Sequence, residues 1–348
     1  MVEQTVRLSE SGKGRIIKYM FKKRLIFYLC VVGLLIFLPK MVPVYQLMLI
    51  ESGITFAIMG LGFNLLLRYT GLLSFGHGAL FATGAYAVGM LGKYFPQLYR
   101  IEVLIPVAIL VSVIVAAIFG FVCVRHTKIF FSILALALSM VLFAILVKFY
   151  NITGGSDGLH IDLPIMLGKS YEGVKRFEFL SGAYYYLLLG FFLFSVVMMF
   201  AIVNSPFGKA LQAIRDNEVR AEMIGIRVRR YRWYAFIISG VFTGLGGALW
   251  SFVNGHVTPE TAEWVFSGEI VYMTLLGGFM IFEGPIVGAI LYTYLKLYAV
   301  STTQYWMFII GATLILLVLL LPDGITGGLV RLFKFTKVRL KPQEPLNA

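Results

Sequence analysis

The sequence predicts an all-α membrane protein, a polytopic helical bundle of about 8–10 transmembrane helices, some of them Gly-interrupted or re-entrant. Of the 348 residues, 59% are hydrophobic and only 14% are charged, with a mean hydropathy of +0.86. A soluble domain needs a more polar surface. Many of the 36 glycines lie inside apolar stretches, where small residues let helices approach closely in lipid.

Ten apolar stretches follow one another along the chain. A transmembrane helix needs ~20 apolar residues. The eighth and ninth stretches are short, so they form either two spans or one re-entrant hairpin. The first ends in LPKMVP, without an A-x-A-like cleavage site, and we interpret it as a retained span rather than a signal peptide. The stretches lie near 24–42, 44–67, 72–92, 101–124, 129–149, 184–203, 232–253, 267–282, 284–300 and 305–321.

The net charge of +13 is unevenly distributed. Basic residues concentrate in an N-terminal arm (1–23), in a central loop (204–231) and in a C-terminal tail (331–348). The positive-inside rule therefore places both termini and the central loop in the cytoplasm. It places the loop 150–183, between spans of the transmembrane domain 24–330, outside. The charge thus orients the chain, and we expect no nucleic acid partner.

The central loop combines charge with apolar positions at helical spacing. Ser205 and Pro206 are typical of a helix start, and Gly225 of a helix end or kink. This pattern predicts a short amphipathic helix that docks on a partner protein. The alternative is a solvated connection near lipid headgroups, where each basic residue gains about 1 kcal/mol. The candidate docking positions are Pro206, Gly208, Ala210, Ile214, Arg215, Asp216, Ala221 and Gly225.

Two Gly-rich apolar stretches, 72–89 and 275–289, are candidates for a transport path because paired interruptions mark such paths. Polar side chains inside apolar stretches are costly, and open backbone N–H groups can bind a carboxylate. The alternative roles are close helix packing for the glycines and bonds to a neighbouring helix for the polar residues. The candidate path residues are Glu51, Asn64, Ser74, Gly76, His77, Gly78, Gly277 and Gly278.

Motifs for catalysis, nucleotide binding or metal binding are missing from the sequence. Gly168-Lys169-Ser170 resembles the end of a P-loop, but Leu163 stands where that loop needs a glycine. The two cysteines, Cys30 and Cys123, support neither a disulfide framework nor a metal cluster. We therefore expect no catalytic residue, no metal and no cofactor bound by this chain, and not an enzyme.

Several motifs together resemble one known family. GLGFNLLLRYTGLLSFGHGALFATGAY (60–86), TGGSDGL (153–159) and SPFGKALQAIRDNEVRAEMIGI (205–226) are similar to the inner-membrane permeases of branched-chain amino acid ABC importers, the LivM type. SGVFTGLGGALW (239–250) and GGFMIFEGPIVGA (277–289) fit as well. The chain departs from the family at Met280-Ile281-Phe282, where the family usually shows Gly-Thr-Leu. Permeases of the same class import urea and short amides, and these motifs do not separate the substrates.

The resemblance implies half of a translocation pore in a bacterial inner membrane. A second homologous permease forms the other half, and two cytoplasmic ATPase subunits, which hold the ATP and Mg, dock on the coupling loop 205–226. A periplasmic solute-binding protein delivers the substrate, and the lipid bilayer surrounds the chain. Two other classes remain open at this point. One is a self-sufficient secondary transporter or channel, and the other is a membrane-embedded enzyme, which the missing catalytic residues disfavour.

Overall fold

The computed structural model describes residues 30–126, 128–171, 173–321, 323–328 and 331. The predicted arm 1–23 and nearly all of the predicted tail 331–348 lie outside the described residues. Within them the chain is mostly helical, which confirms the all-α class. The helices are α1 Cys30–Met41, α2 Val44–Asn64, α3 His77–Tyr94, α4 Ile101–Cys123, α5 Lys128–Lys148, α6 Tyr150–Thr153, α7 Arg176–Phe179, α8 Tyr185–Asn204, α9 Pro206–Asp216, α10 Glu218–Met223, α11 Val228–Asn254, α12 Trp264–Gly277, α13 Gly284–Thr302 and α14 Trp306–Leu320.

Each of the ten predicted apolar stretches contains one helix, so the predicted polytopic bundle is confirmed. In the described part of the chain, six helical segments are long and apolar enough to cross a membrane by length and composition. The shorter apolar helices are α1 and α12. The six segments are Val44–Thr70, Ile101–Cys123, Lys128–Lys148, Arg176–Asn204, Val228–Asn254 and Trp306–Gly328.

Helices α2 and α11 lie antiparallel at the centre of the bundle. Most of their residues are buried, whereas α4, α5 and α8 bury about a third of theirs and α14 very few. A Cβ on Gly62 of α2 would lie 2.7 Å from the carbonyl oxygen of Ser239 in α11. One on Gly246 of α11 would lie 2.8 Å from that of Thr55 in α2. The two backbones therefore touch, as small residues allow in lipid.

Helix α3 crosses α11 at a second small-residue contact. A Cβ on Gly84 of α3 would overlap the carbonyl oxygen of Gly244 in α11, and one on Gly247 would overlap the carbonyl oxygen of Phe81. Gly244 also approaches α4, since a Cβ on it would overlap the hydroxyl of Ser112. Helix α11 is therefore packed at backbone distance against α2, α3 and α4 together.

Two helix boundaries differ from the predicted apolar stretches. Helix α2 continues as a π-helix, Leu65–Thr70, and ends at Gly71 with φ of 71°. The predicted stretch resumes at 72, but α3 begins only at His77. The span predicted at 184–203 begins at Arg176, because α7 and a π-helical turn, Leu180–Tyr184, run into α8. The predicted external loop 150–183 therefore ends earlier than expected.

Helices α12 and α13 form a hairpin of unequal arms. With 14 residues at 1.5 Å per residue, α12 rises about 21 Å, less than the ~30 Å of a bilayer core. The 3₁₀ turn before it, Pro259–Ala262, packs into the bundle, since Ser139 of α5 donates to the Ala262 carbonyl oxygen at 2.7 Å. The short arm fits the predicted re-entrant alternative better than two full spans.

A small cap joins the segments that follow α5 and α11. Strand β1, Leu159–His160, pairs antiparallel with β2, His256–Val257. Nearby, the Tyr99 hydroxyl donates to the Asp162 carbonyl oxygen at 3.0 Å. Burial, helped by the Asp162 carboxylate, raises the pKa of this hydroxyl well above its usual value, so Tyr99 stays protonated as a donor. The cap thereby fixes the start of α4 against the predicted external loop.

We expect Gly84→Ala to destabilise the bundle, because the added methyl meets the Gly244 carbonyl and overpacking costs about 1–3 kcal/mol. The matched control is Gly190→Ala in α8, where a Cβ meets no atom within 4 Å. Thermal unfolding of the detergent-solubilised protein should show a lower midpoint for Gly84→Ala alone. Equal midpoints for both variants would contradict the close α3–α11 contact.

Candidate functional site

The central loop folds into two helices rather than the predicted single amphipathic helix. Ser205 caps α9 by accepting from the Gly208 backbone N–H at 3.4 Å, and Pro206 occupies the first turn. Asn217 breaks the helix with φ of −160° and caps α10 by accepting from the Arg220 N–H at 2.9 Å. Gly225, with φ of 87°, follows the end of α10, as predicted. We call α9, α10 and residues 224–227 the cytoplasmic unit, after the side of the membrane that the charge distribution predicts for this loop.

Some of the predicted docking positions of this unit are buried within the chain, and others are exposed. Ile214 and Ala221 are buried within the chain, and a Cβ on buried Gly208 would overlap the Val203 carbonyl oxygen. Ala210 is half-buried, while Pro206, Arg215, Asp216 and Gly225 are exposed. The apolar side chains that do reach the surface are Val219, Met223 and Ile224, at 61%, 81% and 71% exposure. Helical spacing could not separate these two sets, because the break at Asn217 rotates α10 away from α9.

Two arginines tie the cytoplasmic unit to the central helices. Arg215 of α9 donates to the Arg68 carbonyl oxygen, at the end of α2, at 2.7 Å, and also pairs with Asp216 at 2.8 Å. Arg232 of α11 forms a bidentate pair with Glu218 of α10, at 2.8 and 2.9 Å. The Arg232 side chain is only 7% exposed, and two-point contact with a carboxylate fixes its geometry. A displacement of the unit therefore pulls directly on α2 and α11.

The predicted path residues of the first interruption are enclosed by neighbouring helices. Ser74 is buried and accepts from the Gly76 N–H at 3.3 Å. A Cβ on Gly76 would lie 2.6 Å from the Ala135 carbonyl oxygen of α5. The Gly78 N–H donates to the Ser267 hydroxyl of α12 at 2.9 Å. In this conformation the N–H of Gly78, expected to be open to a substrate carboxylate, is occupied by the protein itself.

His77 is the first of three buried groups that are joined by hydrogen bonds. Its Nε2 lies 2.7 Å from the Ser239 hydroxyl, which lies 2.6 Å from the Gly62 carbonyl oxygen. The carbonyl can only accept, so Ser239 donates to it and accepts from His77. His77 is thus the Nε2–H tautomer, held between the rings of Phe63 and Phe236. Its Nδ1 has no hydrogen-bond partner among the described residues.

Glu51 and Asn64, the predicted path residues of α2, are both buried. Within the described residues neither carboxylate oxygen of Glu51 has a hydrogen-bond partner, nor does the Asn64 side-chain oxygen. Glu51 interacts electrostatically with Tyr184 and Tyr185, whose hydroxyls donate to the Leu249 and Leu35 carbonyl oxygens. The two residues remain candidates for the path.

Gly277 and Gly278 form the second interruption, between α12 and α13. A Cβ on Gly277 would overlap the Gly284 carbonyl oxygen, and Gly278 has φ of 101°. The Thr326 hydroxyl donates to the Gly277 carbonyl oxygen. Both glycines are required by this tight turn, so their predicted role in the path is additional to a structural one.

The hydroxyl groups that close the interruptions, and one charge inside an apolar stretch, were not predicted from the sequence. Ser239, Ser267 and Thr326 carry no sequence signal, because single hydroxyls are frequent in apolar helices. Lys296 does carry one. It is a charge inside the stretch 284–300, and the criterion that selected Glu51 would have selected it. In the structure it pairs with Glu269 of α12 at 2.8 Å.

This architecture defines a multi-pass helical membrane protein of the transport class. The glycine-rich start of α3 contacts the start of α12, and the cytoplasmic unit is fastened to the two central helices. Among the described residues no group of three or more His, Cys, Asp or Glu could hold a metal ion. The chain belongs to the family described as branched-chain amino acid transport system / permease component, whose model matches residues 45–318.

The chain is similar to curated relatives of two kinds. It is 26% identical over 320 residues to the high-affinity branched-chain amino acid transport system permease protein LivM of Escherichia coli (strain K12), which covers 87% of this chain and 75% of the relative. It is 27% identical over 236 residues to the probable LivM protein of Methanocaldococcus jannaschii, with 65% of each covered. It is 21% identical over 294 residues to the permease protein LivH of E. coli K12, with 80% and 93% covered. No solved structure matches the chain.

We expect Ser239→Ala to lower stability, because it leaves the buried His77 Nε2–H without a partner and removes one hydrogen bond to the Gly62 carbonyl, at a cost of about 1–3 kcal/mol. The matched control is Ser195→Ala in α8, where the buried hydroxyl has no partner among the described residues. Thermal unfolding in detergent should separate the two variants. If Ser195→Ala lowers the unfolding midpoint more than Ser239→Ala does, the hydrogen bond between Ser239 and His77 does not hold His77 in place.

Proposed function

We propose that this chain is the permease subunit of an ATP-driven ABC importer and forms half of a translocation pore for branched-chain or other hydrophobic amino acids. The other half is a second homologous permease. Two cytoplasmic ATPase subunits, which bind the ATP and Mg, and a periplasmic solute-binding protein complete the assembly. The chain resides in a bacterial inner membrane with both termini in the cytoplasm.

The observation that carries this proposal is the pair of arginine contacts between the cytoplasmic unit and the central helices. Arg215 contacts α2 and Arg232 contacts α11. These helices belong to the two most completely buried of the six long apolar segments. A solvated connection held by lipid headgroups does not need such contacts, since its charges would face water or phosphate.

Energy transfer follows from this geometry. Closure of the ATPase dimer displaces the exposed apolar side chains of α10, and the Glu218–Arg232 pair transmits the displacement to α11. The glycine contacts of α11 with α2 and α3 then require these helices to move as one packed body. Such a bundle has discrete arrangements, inward-open and outward-open, whose populations nucleotide binding shifts.

The substrate class follows from the family and from the character of the bundle. The relatives are named as branched-chain amino acid permeases, and amino acids of this kind combine an apolar tail with a zwitterionic head. A path of mainly apolar and small residues admits the tail, while a few polar groups in the centre guide the head. Most selection then rests with the solute-binding protein.

We expect Met223→Glu to reduce ATP-driven uptake about tenfold or more, because a carboxylate cannot be buried unpaired in an apolar contact with the ATPase. Met223 is 81% exposed, so the chain itself should fold normally. The matched control is Leu167→Glu, equally exposed at 81% but in the predicted external loop. Uptake into proteoliposomes and co-purification of the ATPase subunits measure the effect.

If uptake by Met223→Glu equals that of the control and persists without ATP, the cytoplasmic unit does not couple to an ATPase. A self-sufficient secondary transporter or channel would then be the better description.

A further inference from the structure

The Glu269–Lys296 ion pair joins the two arms of the α12–α13 hairpin. Both carboxylate oxygens of Glu269 lie 2.8 Å from the Lys296 ammonium. The Glu269 side chain is 14% exposed and the Lys296 side chain is 36% exposed. The Lys296 ammonium also lies 5.4 Å from the centre of the Trp306 ring. The pair is thus half-enclosed by the hairpin and by the start of α14.

The exposed side of the Glu269–Lys296 pair is not suited to contact with lipid tails. A charge that reaches hydrocarbon is costly, and a lysine near a helix end normally extends its ammonium to the headgroups. Lys296 instead points its ammonium back to Glu269, on the neighbouring arm. The exposed part of this pair therefore faces water or a second protein chain, as the wall of a transport path does.

Two tyrosines of the same two helices lie beside the pair, and the Lys296 ammonium is 5.9 Å from the centre of the Tyr292 ring. Tyr272 of α12 and Tyr292 of α13 have ring centres 5.1 Å apart, and Tyr292 interacts electrostatically with both Glu269 and Tyr272. The Tyr272 residue is only 4% exposed, yet its hydroxyl has no hydrogen-bond partner within the described part of the chain. A buried hydroxyl without a partner is destabilising, so a hydrogen bond between this hydroxyl and a ligand would be favourable.

We propose that Glu269, Lys296 and Tyr272 form a binding site for the zwitterionic head of the transported amino acid. The inference rests on the proposed function and adds the residues that recognise the substrate inside the pore. The Glu269 carboxylate accepts from the α-ammonium group, while Lys296 and the Tyr272 hydroxyl donate to the α-carboxylate. No bond is made or broken in this step, and no proton moves.

A site whose two charges pair with each other in the absence of substrate suits transport. Without substrate the two charges neutralise each other across the hairpin, which avoids two unpaired charges in a membrane domain. A zwitterion replaces that one contact by two charge-assisted hydrogen bonds of the same kind. Binding is therefore specific but weak, and the substrate can leave again. Uncharged molecules such as urea gain nothing from opening the pair.

The first test removes both charges with little change in volume. We expect Glu269→Gln/Lys296→Gln to lower L-leucine uptake at least about tenfold in proteoliposomes containing the complete importer, as for the loss of one charge-assisted contact. ATPase activity and assembly should remain. The matched control, Lys93→Gln/Glu102→Gln, removes one base and one acid from exposed positions near the ends of α3 and α4. Wild-type uptake by the Gln/Gln variant would overturn the proposal and leave the pair a helix–helix contact only.

The second test does not depend on the ion pair surviving substitution. Tyr272→Phe removes only a buried hydroxyl that has no partner among the described residues, so the fold should be unharmed. We expect leucine uptake to fall about three- to tenfold, as for the loss of one hydrogen bond. Tyr86→Phe in α3 is the matched control, since that hydroxyl is equally buried and also without a partner among the described residues. Equal uptake by the two variants would overturn the role of Tyr272.

Failure of the site can be distinguished from failure of the proposed function. If wild-type importer takes up urea and no leucine, the proposed amino acid function is wrong and no zwitterion site is needed. If the wild type takes up leucine and all four variants match it, the function stands and this site is overturned.

Discussion

The contact of backbone against backbone at the glycines of α11 is the constraint on which the rest of the structure depends. Between lipid tails no hydrophobic drive brings helices together, so association relies on close packing and polar contacts. The crossing of Gly84 with Gly244 brings α3 against α11 and thereby places His77 within reach of Ser239. The same helix carries Arg232 near its N-terminal end. A displacement that enters at α10 reaches the centre of the bundle through one tightly packed helix.

The interrupted helices are possible because hydroxyl groups satisfy the backbone groups that the interruptions release. In a membrane such groups must find partners inside the protein. Ser132 donates to the Leu73 carbonyl oxygen at 2.5 Å, Ser139 to that of Ala262 and Thr326 to that of Gly277. Each of these donors comes from a different element than its acceptor. The irregular segments are therefore held by the surrounding helices, and a movement of those helices changes their hydrogen bonding.

Composition and periodicity were sufficient to predict the all-α class and all ten apolar helices, because the bilayer imposes a length and an apolar character on each span. They predicted less well where tertiary contacts decide. The break at Asn217 depends on its side-chain cap, and the start of the span at Arg176 depends on the π-helical turn that joins α7 to α8. Spacing identified Ile214 and Met223 as apolar positions of one loop, but it could not show that the first is buried and the second is exposed. For the path, polarity in an apolar stretch made Glu51 a candidate, whereas Tyr272 became a candidate only through its neighbours.

Many of the contacts between elements run from a side chain to a main-chain oxygen, as from Arg215 to residue 68 and from Ser239 to Gly62. A carbonyl oxygen is present at every position, so the accepting residue is free to vary in evolution while the contact persists. Pairwise covariation among relatives would therefore not detect these side-chain to main-chain contacts. It would report instead on the contacts between two side chains, Glu218 with Arg232 and Glu269 with Lys296. In this protein, covariation among relatives is expected to detect only some of the contacts that transmit movement between helices.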